Sequence, residues 1–286
     1  MKLVRYGPAG REKPGLIDAD GRLRDLSRKV KDIDAAALAP ASLAKLRKVD
    51  ARRLPLVRGR PRIGPCVARV GKFLAIGLNY ADHAKETGSP IPENPIVFFK
   101  STTCIQGPND PIMLPKDSTQ TDWEVELGVV IGSRARYVDE KHALKHVAGY
   151  CLVNDVSERE YQLKKGGNQW GKGEGCDTFG PIGPWLVTAD EVRDPQNLDM
   201  RLDVNGERRQ TGSTRTMIFG VAKLVADVSR YMTLEPGDVI TTGTPPGVGM
   251  GKKPPRFLKP GDQIRLGIAG LGEQQQRVIS WEEANR

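Results

Sequence analysis

Two glutamates and a downstream aspartate could together bind a metal ion. Glu124 and Glu126 are two residues apart in a strand-like, valine-rich run, and Asp155 follows a second apolar run. Because side chains alternate across a strand, both glutamates project from one face, where their charges repel unless a cation or a basic partner lies between them. Three carboxylates without a neighbouring His or Cys would suit Mg²⁺ or Mn²⁺. The alternative is a solvent-exposed strand face on which Glu alternates with Val.

A histidine and a glutamate form a second candidate for chemistry. His83 is one of 3 histidines in the chain, and it precedes Glu86 by three residues in a segment, 80–87, that is predicted to be helical. At this spacing both side chains share one helix face, where the carboxylate could orient the imidazole to take a proton from water. A surface ion pair is the simpler alternative. His142 and His146 also have helical spacing, but their neighbours are charged, so we interpret them as structural.

The composition is that of a globular chain without a concentrated charge. The 286 residues include 44 Lys and Arg and 35 Asp and Glu, which gives a formal net charge of +9. The densest basic stretch, 45–62, has no interleaved aromatic residues, so nucleic-acid binding is not expected. The 4 cysteines form no paired or metal-binding motif, and neither a signal peptide nor a membrane span is predicted. We therefore expect a cytoplasmic protein with no membrane partner.

The pattern of residues divides the chain into two units. Residues 1–62 contain a hairpin that turns at Asp20-Gly21, a short helix at 40–49 and a Pro- and Arg-rich end that suits a linker. In 70–286, short apolar runs separated by Gly and Pro predict a β-rich sandwich or barrel with two helices. These helices are expected at 80–87 and 218–232, a hairpin turn at 205–206, and strands at 73–78, 96–99, 124–131, 150–154, 185–188, 239–242 and 263–268.

Six segments occur in an order that resembles the fumarylacetoacetate hydrolase superfamily. Each segment alone is weak, but the ordered set is specific and extends from about residue 70 to the end of the sequence. The basic N-terminal unit, which opens with Arg5-Tyr6-Gly7, further resembles the bacterial subgroup that includes 2,4-didehydro-3-deoxy-L-rhamnonate hydrolases, often labelled ureidoglycolate lyases. The six segments are GLNYADH (77–83), FFK (98–100), EVELG (124–128), NDVSER (154–159), DTFGP (177–181) and TGTPPGVG (242–249).

The resemblance implies an α+β, mostly β fold in which rolled sheets enclose the site. A small N-terminal domain (1–62) and a catalytic domain (70–286) would assemble as a homodimer or a higher homo-oligomer. The resemblance also implies that Glu124, Glu126 and Asp155 bind Mg²⁺ or Mn²⁺. His83 and Glu86 would activate water on a lid over the substrate. Family positions that contact the substrate correspond to Tyr80, Lys100, Arg159, Gln162 and Thr244.

One position departs from the family pattern. The family usually carries a lysine just before the Asp-Thr pair, whereas this sequence has Glu174, so an anion stands where a cation is expected beside the substrate. Lys172 could substitute only if the loop shifts, because residues two apart on a strand are displaced by about 7 Å. Three interpretations are open: activity is reduced, the substrate is oriented differently, or Glu174 points elsewhere.

The leading hypothesis is a metal-dependent hydrolase that cleaves a C–C bond of a small-molecule 2,4-dioxo acid in sugar-acid, specifically rhamnose, catabolism. The expected reaction splits 2,4-didehydro-3-deoxy-L-rhamnonate into pyruvate and L-lactate, with the metal stabilising the enolate charge as it forms. The same scaffold would also serve oxaloacetate decarboxylation, enol/keto isomerisation or ureidoglycolate lyase chemistry. A further alternative is a metal-binding protein that Glu174 makes catalytically silent.

Overall fold

Strands make up most of the regular structure, as expected for a mixed α+β protein. A computed structural model describes residues 1–167 and 169–286. Its strands are β1 (Lys2–Tyr6), β2 (Lys13–Ile17), β3 (Leu23–Asp25), β4 (Phe73–Gly77), β5 (Ile96–Lys100), β6 (Ile105–Gln106), β7 (Ile112–Met113), β8 (Thr121–Asp122), β9 (Val125–Ile131), β10 (Val147–Asn154), β11 (Ser157–Glu158), β12 (Gly180–Thr188), β13 (Asp199–Val204), β14 (Glu207–Ser213), β15 (Val239–Thr241), β16 (Gln263–Ile268) and β17 (Gly272–Ile279). Its α-helices are α1 (Ala35–Leu38), α2 (Pro40–Arg47), α3 (Ala81–Thr87), α4 (Glu140–Ala143), α5 (Arg159–Leu163), α6 (Gly171–Glu174), α7 (Val221–Tyr231) and α8 (Trp281–Ala284).

One large sheet and one smaller sheet organise these strands. The large sheet has 10 strands, in the order β3-β2-β1-β12-β10-β9-β15-β4-β5, with β6 pairing to β12 off this path. The smaller sheet has 5 strands, in the order β14-β13-β16-β17-β7, and β8 and β11 form a separate two-stranded ribbon. Strands β9 and β10 lie in the middle of the large sheet and are buried throughout, which suits their Val-, Leu- and Ile-rich sequences.

The N-terminal unit continues the large sheet. Strand β1 pairs antiparallel with both β2 and β12, so the first three strands extend the sheet that contains β9 and β10. The predicted hairpin is present, with β2 and β3 joined across the Asp20-Gly21 turn, where Gly21 has a φ of +76°. The division into domains at 1–62 and 70–286 stays a prediction, but the N-terminal strands have no sheet separate from the rest.

Strands β1 and β17 were not predicted, and the predicted strand at 185–188 is part of the longer β12. This strand begins at Gly180 rather than at residue 185, because the two Gly-Pro steps, which indicated a turn, lie inside the sheet. Gly183 has a φ of +129°, and the pairing with β10 shifts register between Tyr150 and Leu152. This local irregularity accommodates the Gly-Pro steps within a paired strand.

The helices predicted at 80–87 and 218–232 are present as α3 and α7, with slightly different ends. Helix α3 ends at Gly88, whose φ of +71° is the left-handed conformation that favours glycine after a helix. Helix α7 buries one apolar face, which includes Leu224 and Val228, against the core, as its helical spacing predicts. Within 1–167 and 169–286, no helix has the length and apolar content that crossing a bilayer requires.

Candidate active site

Antiparallel pairing of β9 with β10 brings the three acids together. Val153 pairs with Glu126, and the next residues along place the Asp155 N–H 2.9 Å from the Glu124 carbonyl oxygen. One carboxylate oxygen from each of Glu124, Glu126 and Asp155 lies within 4.8 Å of the others, and all three side chains are buried. The surface-face alternative is therefore wrong, because a solvated face would leave these carboxylates exposed.

Glu126 is held firmly although its environment opposes its charge. Its Oε2 atom accepts hydrogen bonds from Thr241 Oγ1 at 2.5 Å and from the backbone N–H of Gly243 at 2.7 Å. Burial, followed by the charges of Asp155 and Glu124, raises the pKa of Glu126 well above its ordinary value. A cation between the three carboxylates would remove this penalty, since positive charge favours the ionised form.

Two buried cations hold the other two acids. Arg159 Nη2 donates to Glu124 Oε1, and Lys100 Nζ lies 2.5 Å from Asp155 Oδ1. Burial by itself would lower the pKa of Lys100, but Asp155 and the neighbouring Glu174 outweigh it and raise the pKa, so the ammonium stays charged.

The donor set fits a hard divalent cation. Thr241, Arg159 and Lys100 each contact one oxygen of an acid, and within the described residues the second oxygen of each acid has no protein donor. Buried carboxylate oxygens that converge in this way, without His or Cys, are the ligands that Mg²⁺ and Mn²⁺ prefer. The three acids therefore form a buried cluster that could hold such a cation.

Glu174 points into the site and not away from it. Helix α6 places its carboxylate where Oε1 accepts from Gln162 Nε2 at 2.6 Å, while Oε2 accepts from Lys100 Nζ at 3.0 Å and from Ser157 Oγ at 3.1 Å. The side chain is 1% exposed and lines the same cavity as the three acids. Burial, with the charges of Asp155 and Glu124, raises the pKa of Glu174 to about 8, against the opposing charge of Lys100. A divalent cation among those acids would offset their charges and favour the ionised form of Glu174.

His83 and Glu86 form the expected pair on helix α3. His83 Nδ1 lies 3.2 Å from Glu86 Oε2, and His83 lines the cavity while being only 6% exposed. The backbone N–H of Gly247 donates to both Glu86 oxygens, at 2.9 and 3.0 Å. Burial alone would raise the pKa of Glu86, but the bonds from His83 and Gly247 hold it below its ordinary value. An ionised Glu86 can orient the imidazole so that its other nitrogen is available to accept a proton.

Comparison with known proteins assigns this arrangement to a family. Residues 72–279 match the sequence model described as fumarylacetoacetate (FAA) hydrolase, C-terminal. The chain belongs to the fumarylacetoacetate hydrolase family. A relative from Burkholderia cenocepacia (strain HI2424), whose name specifies a hydrolase and no substrate, is 66% identical over 279 residues, covering 97% of this chain and 99% of its own.

Solved structures of family members share the fold. A fumarylacetoacetate hydrolase from Exiguobacterium antarcticum is 37% identical with a TM-score of 0.85, covering 98% of this chain and 99% of that one. A maleylpyruvate hydrolase from Sphingobium sp. SYK-6, in complex with manganese(II) and pyruvate, is 28% identical with a TM-score of 0.82 over 98% and 99% of the two chains. The expectation of a mostly β, mixed α+β fold of this family is confirmed.

Not all residues that the family pattern assigns to the substrate reach the cavity. Gln162, Arg159 and Thr244 line it. Tyr80, which directly precedes α3, does not line it; its side chain is fully buried and its hydroxyl donates to Met200 Sδ at 3.3 Å.

Lys172 does not compensate for the missing lysine of the family. Its ammonium donates to the carbonyl oxygen of Lys165 at 3.2 Å on the protein surface. Within helix α6, residues two apart point in different directions, so Lys172 faces solvent when Glu174 faces the cavity. The loop shift that would be needed is absent, and Lys100 is the lysine that lies beside the acids.

Asp122, which the sequence analysis did not single out, positions Arg159 and the loop after β15. Asp122 accepts hydrogen bonds from Arg159 Nε at 3.0 Å and from the backbone N–H groups of Gly249 at 2.6 Å and Met250 at 2.9 Å. It therefore ties the loop after β15 to the arginine that holds Glu124. A signal was available, because Asp122 precedes Glu124 by the same spacing of two that separates Glu124 from Glu126.

Proposed function

We propose that the protein is a divalent-metal-dependent hydrolase that cleaves the C–C bond of a 2,4-dioxo acid to release pyruvate. The observation that carries the proposal is the juxtaposition of a buried three-carboxylate cluster with the His83–Glu86 pair on the lining of one cavity. Family membership and the manganese and pyruvate in the Sphingobium structure support it.

The side chains of this site suit the individual steps of such a reaction. His83, oriented by Glu86, takes a proton from water as the water oxygen attacks the 4-carbonyl carbon. The bond between C3 and C4 then breaks, its electron pair moves to C3 and the 2-oxo group as a pyruvate enolate, and C3 regains a proton. Mg²⁺ or Mn²⁺ at Glu124, Glu126 and Asp155 supplies the positive charge that favours this enolate.

We further propose 2,4-didehydro-3-deoxy-L-rhamnonate as the substrate, cleaved to pyruvate and L-lactate in rhamnose catabolism. The resemblance of the N-terminal unit to that bacterial subgroup supports this choice. Assembly as a homodimer is part of the same proposal, and the mass of the protein in solution tests it.

The test is the release of pyruvate from a panel of acylpyruvates and 2,4-dioxo sugar acids. Lactate dehydrogenase, as a coupling enzyme, measures the pyruvate that is released. We expect release with Mg²⁺ or Mn²⁺ and none after a chelator has removed the metal. His83→Asn is the matched variant, because it keeps the three acids and should bind Mn²⁺ normally while losing about 10²-fold or more in kcat. Metal binding without pyruvate from any substrate would contradict the proposal and would favour isomerase, lyase or silent alternatives.

A further inference from the structure

Both buried cations beside the cavity are already occupied by protein acceptors. The charge of Arg159 is paired with two acids, because Nε donates to Asp122 and Nη2 to Glu124, while Nη1 donates to Gln162. Its side chain is 5% exposed, so it has little freedom to turn toward a ligand.

Lys100 is held in the same way. Its ammonium contacts Asp155 at 2.5 Å, Glu174 at 3.0 Å and the carbonyl oxygen of Val156 at 3.2 Å, and its side chain is 0% exposed. An ammonium has three N–H groups, and three acceptors are present around this one. Both cations are therefore already paired with protein carboxylates, so neither brings an unneutralised positive charge to a second carboxylate on a substrate.

Glu174 is the residue that makes the local charge unusual. Four carboxylates line the cavity, three from the metal cluster and one from Glu174, against the two cations Lys100 and Arg159. A single divalent cation would bring the net charge of these six side chains to zero. Asp122, which pairs with Arg159, adds a further negative charge. With the lysine that the family usually carries, the metal-loaded cavity would be more positive by two charges.

The wall away from the acids offers no substitute cation. Its residues are apolar or hydroxyl-bearing, and of the described residues that line the cavity only Arg159 carries a fixed positive charge. The ring of Phe98 packs edge-on against Trp170 at 5.2 Å between centroids, which gives this side a rigid aromatic surface. The other residues on this wall are Ile76, Leu78, Thr87, Ser89, Leu163 and Met250.

We propose that Glu174 makes the site selective for 2-oxo acids that carry a single carboxylate and an uncharged alkyl or hydroxyl-bearing tail. The metal provides the one positive centre for the substrate's carboxylate and 2-oxo group. A second carboxylate would meet Glu174 and an apolar wall, where it loses hydration without gaining a cation. This inference rests on the proposed function, and it adds that dicarboxylic acylpyruvates are poor substrates.

A binding experiment tests the charge preference without requiring turnover. The probes are 2-oxopentanoate and 2-oxoglutarate, which have the same chain length and differ by a terminal methyl or carboxylate. Their dissociation constants are measured by calorimetry for the Mn²⁺-loaded protein. We expect wild type to bind 2-oxopentanoate at least about tenfold more tightly than 2-oxoglutarate, because the repulsion between two unit charges about 4 Å apart is of this order.

Two variants and a control locate the effect at Glu174. Glu174→Gln keeps the volume and most hydrogen bonds, so it should reduce the preference several-fold, and Glu174→Lys should abolish or reverse it. Glu140→Lys, on the exposed face of helix α4, changes the net charge by the same two units as Glu174→Lys and should leave the preference as in wild type. A preference that is absent in wild type, or unchanged in both Glu174 variants, would overturn the inference.

Measurements of turnover distinguish a failure of the charge selectivity from a failure of the proposed function. With acylpyruvates that end in a methyl group or in a carboxylate, wild type should show the same preference in kcat/KM as in binding. Cleavage of both classes with equal kcat/KM would sustain the proposed function and overturn the selectivity. Absence of all cleavage, with the binding preference intact, would overturn the proposed function and leave the charge selectivity of Glu174 supported.

Discussion

Two clusters of three carboxylates lie in this molecule, and they differ in how their oxygens are used. In the N-terminal cluster, Arg5 donates to Asp32 and Glu12, and Arg62 donates to Glu12 and Asp110. The two arginines separate the acids, so each carboxylate oxygen has a donor. In the cavity, the three acids of the metal cluster face one another, and each keeps an oxygen with no donor from the described residues.

The pKa directions follow from this difference. Burial alone would raise the pKa of Glu12, but the hydrogen bond from Arg62 and the charge of Arg5 outweigh it and lower the pKa. The pKa of Glu126 is raised instead, because burial and two neighbouring carboxylates act in the same direction. Buried acids that are fully paired stabilise a fold, whereas buried acids that converge with free oxygens are arranged for a ligand.

The largest expected effect comes from removing one converging acid. Glu126→Gln should lower metal-dependent turnover by about 10³-fold, since a metal at a developing charge contributes several kcal/mol. It should not lower the free energy of unfolding of the metal-free protein, because it removes like-charge repulsion while Gln still accepts from Thr241 and Gly243. Steady-state kinetics measure the turnover, and urea unfolding measures the stability. A large loss of stability in Glu126→Gln would contradict the difference proposed between the two clusters.

Adding metal should stabilise the folded protein through the cavity cluster and not through the N-terminal cluster. Mn²⁺ at about 100 times its dissociation constant should add about 2.7 kcal/mol of apparent stability to wild type by preferential binding to the folded state. Calorimetric melting with and without Mn²⁺ measures this as a rise in Tm. The Glu126→Gln variant is the control, and an equal rise in that variant would place the metal elsewhere.

Removing a fully paired acid should have the opposite consequence. Glu12→Gln should cost about 1–2 kcal/mol of stability, because Arg5 and Arg62 lose the shared acceptor that joins them. Mn²⁺ affinity and kcat should stay at the wild-type value, since this cluster lies outside the cavity. Urea unfolding and calorimetric titration with Mn²⁺ test both statements, and a change in metal affinity would contradict the separation of the two clusters.

The smallest effect is the pH dependence of the paired cluster. The pKa of Glu12 is lower in the folded than in the unfolded protein, so its contribution is complete above the unfolded pKa of about 4.3 and is lost as the pH falls through the folded value. The stability difference between wild type and Glu12→Gln should therefore be smaller at pH 3.5 than at pH 7. A difference that grows on acidification would mean that Glu12 is not stabilised as an ion.

Many of the strands and the three candidate acids could be predicted from local sequence, whereas the resemblance to the family implied that these acids bind a metal. Alternation placed Glu124 and Glu126 on one face, and the apolar run before Asp155 indicated another strand. That the two strands are neighbours is known only from the pairing of β9 with β10. The start of β12 could not be predicted, because its Gly-Pro steps signal a turn unless β10 is present to pair with them. The position of Tyr80 was also beyond local reasoning, since its hydroxyl contacts Met200, 120 residues away in sequence.

The sequence by itself determined which residues could do chemistry, because side-chain type and strand or helix period are local properties. It placed the acids, the His83–Glu86 pair and the substitution at Glu174 in their segments. Only the tertiary structure decided that Glu174 faces the cavity, that Lys100 lies between it and Asp155, and that Arg159 is paired with Asp122 and Glu124. These contacts join α5, α6, β5 and the ends of β9 and β10, and the charge balance of the site arises only when those elements pack together.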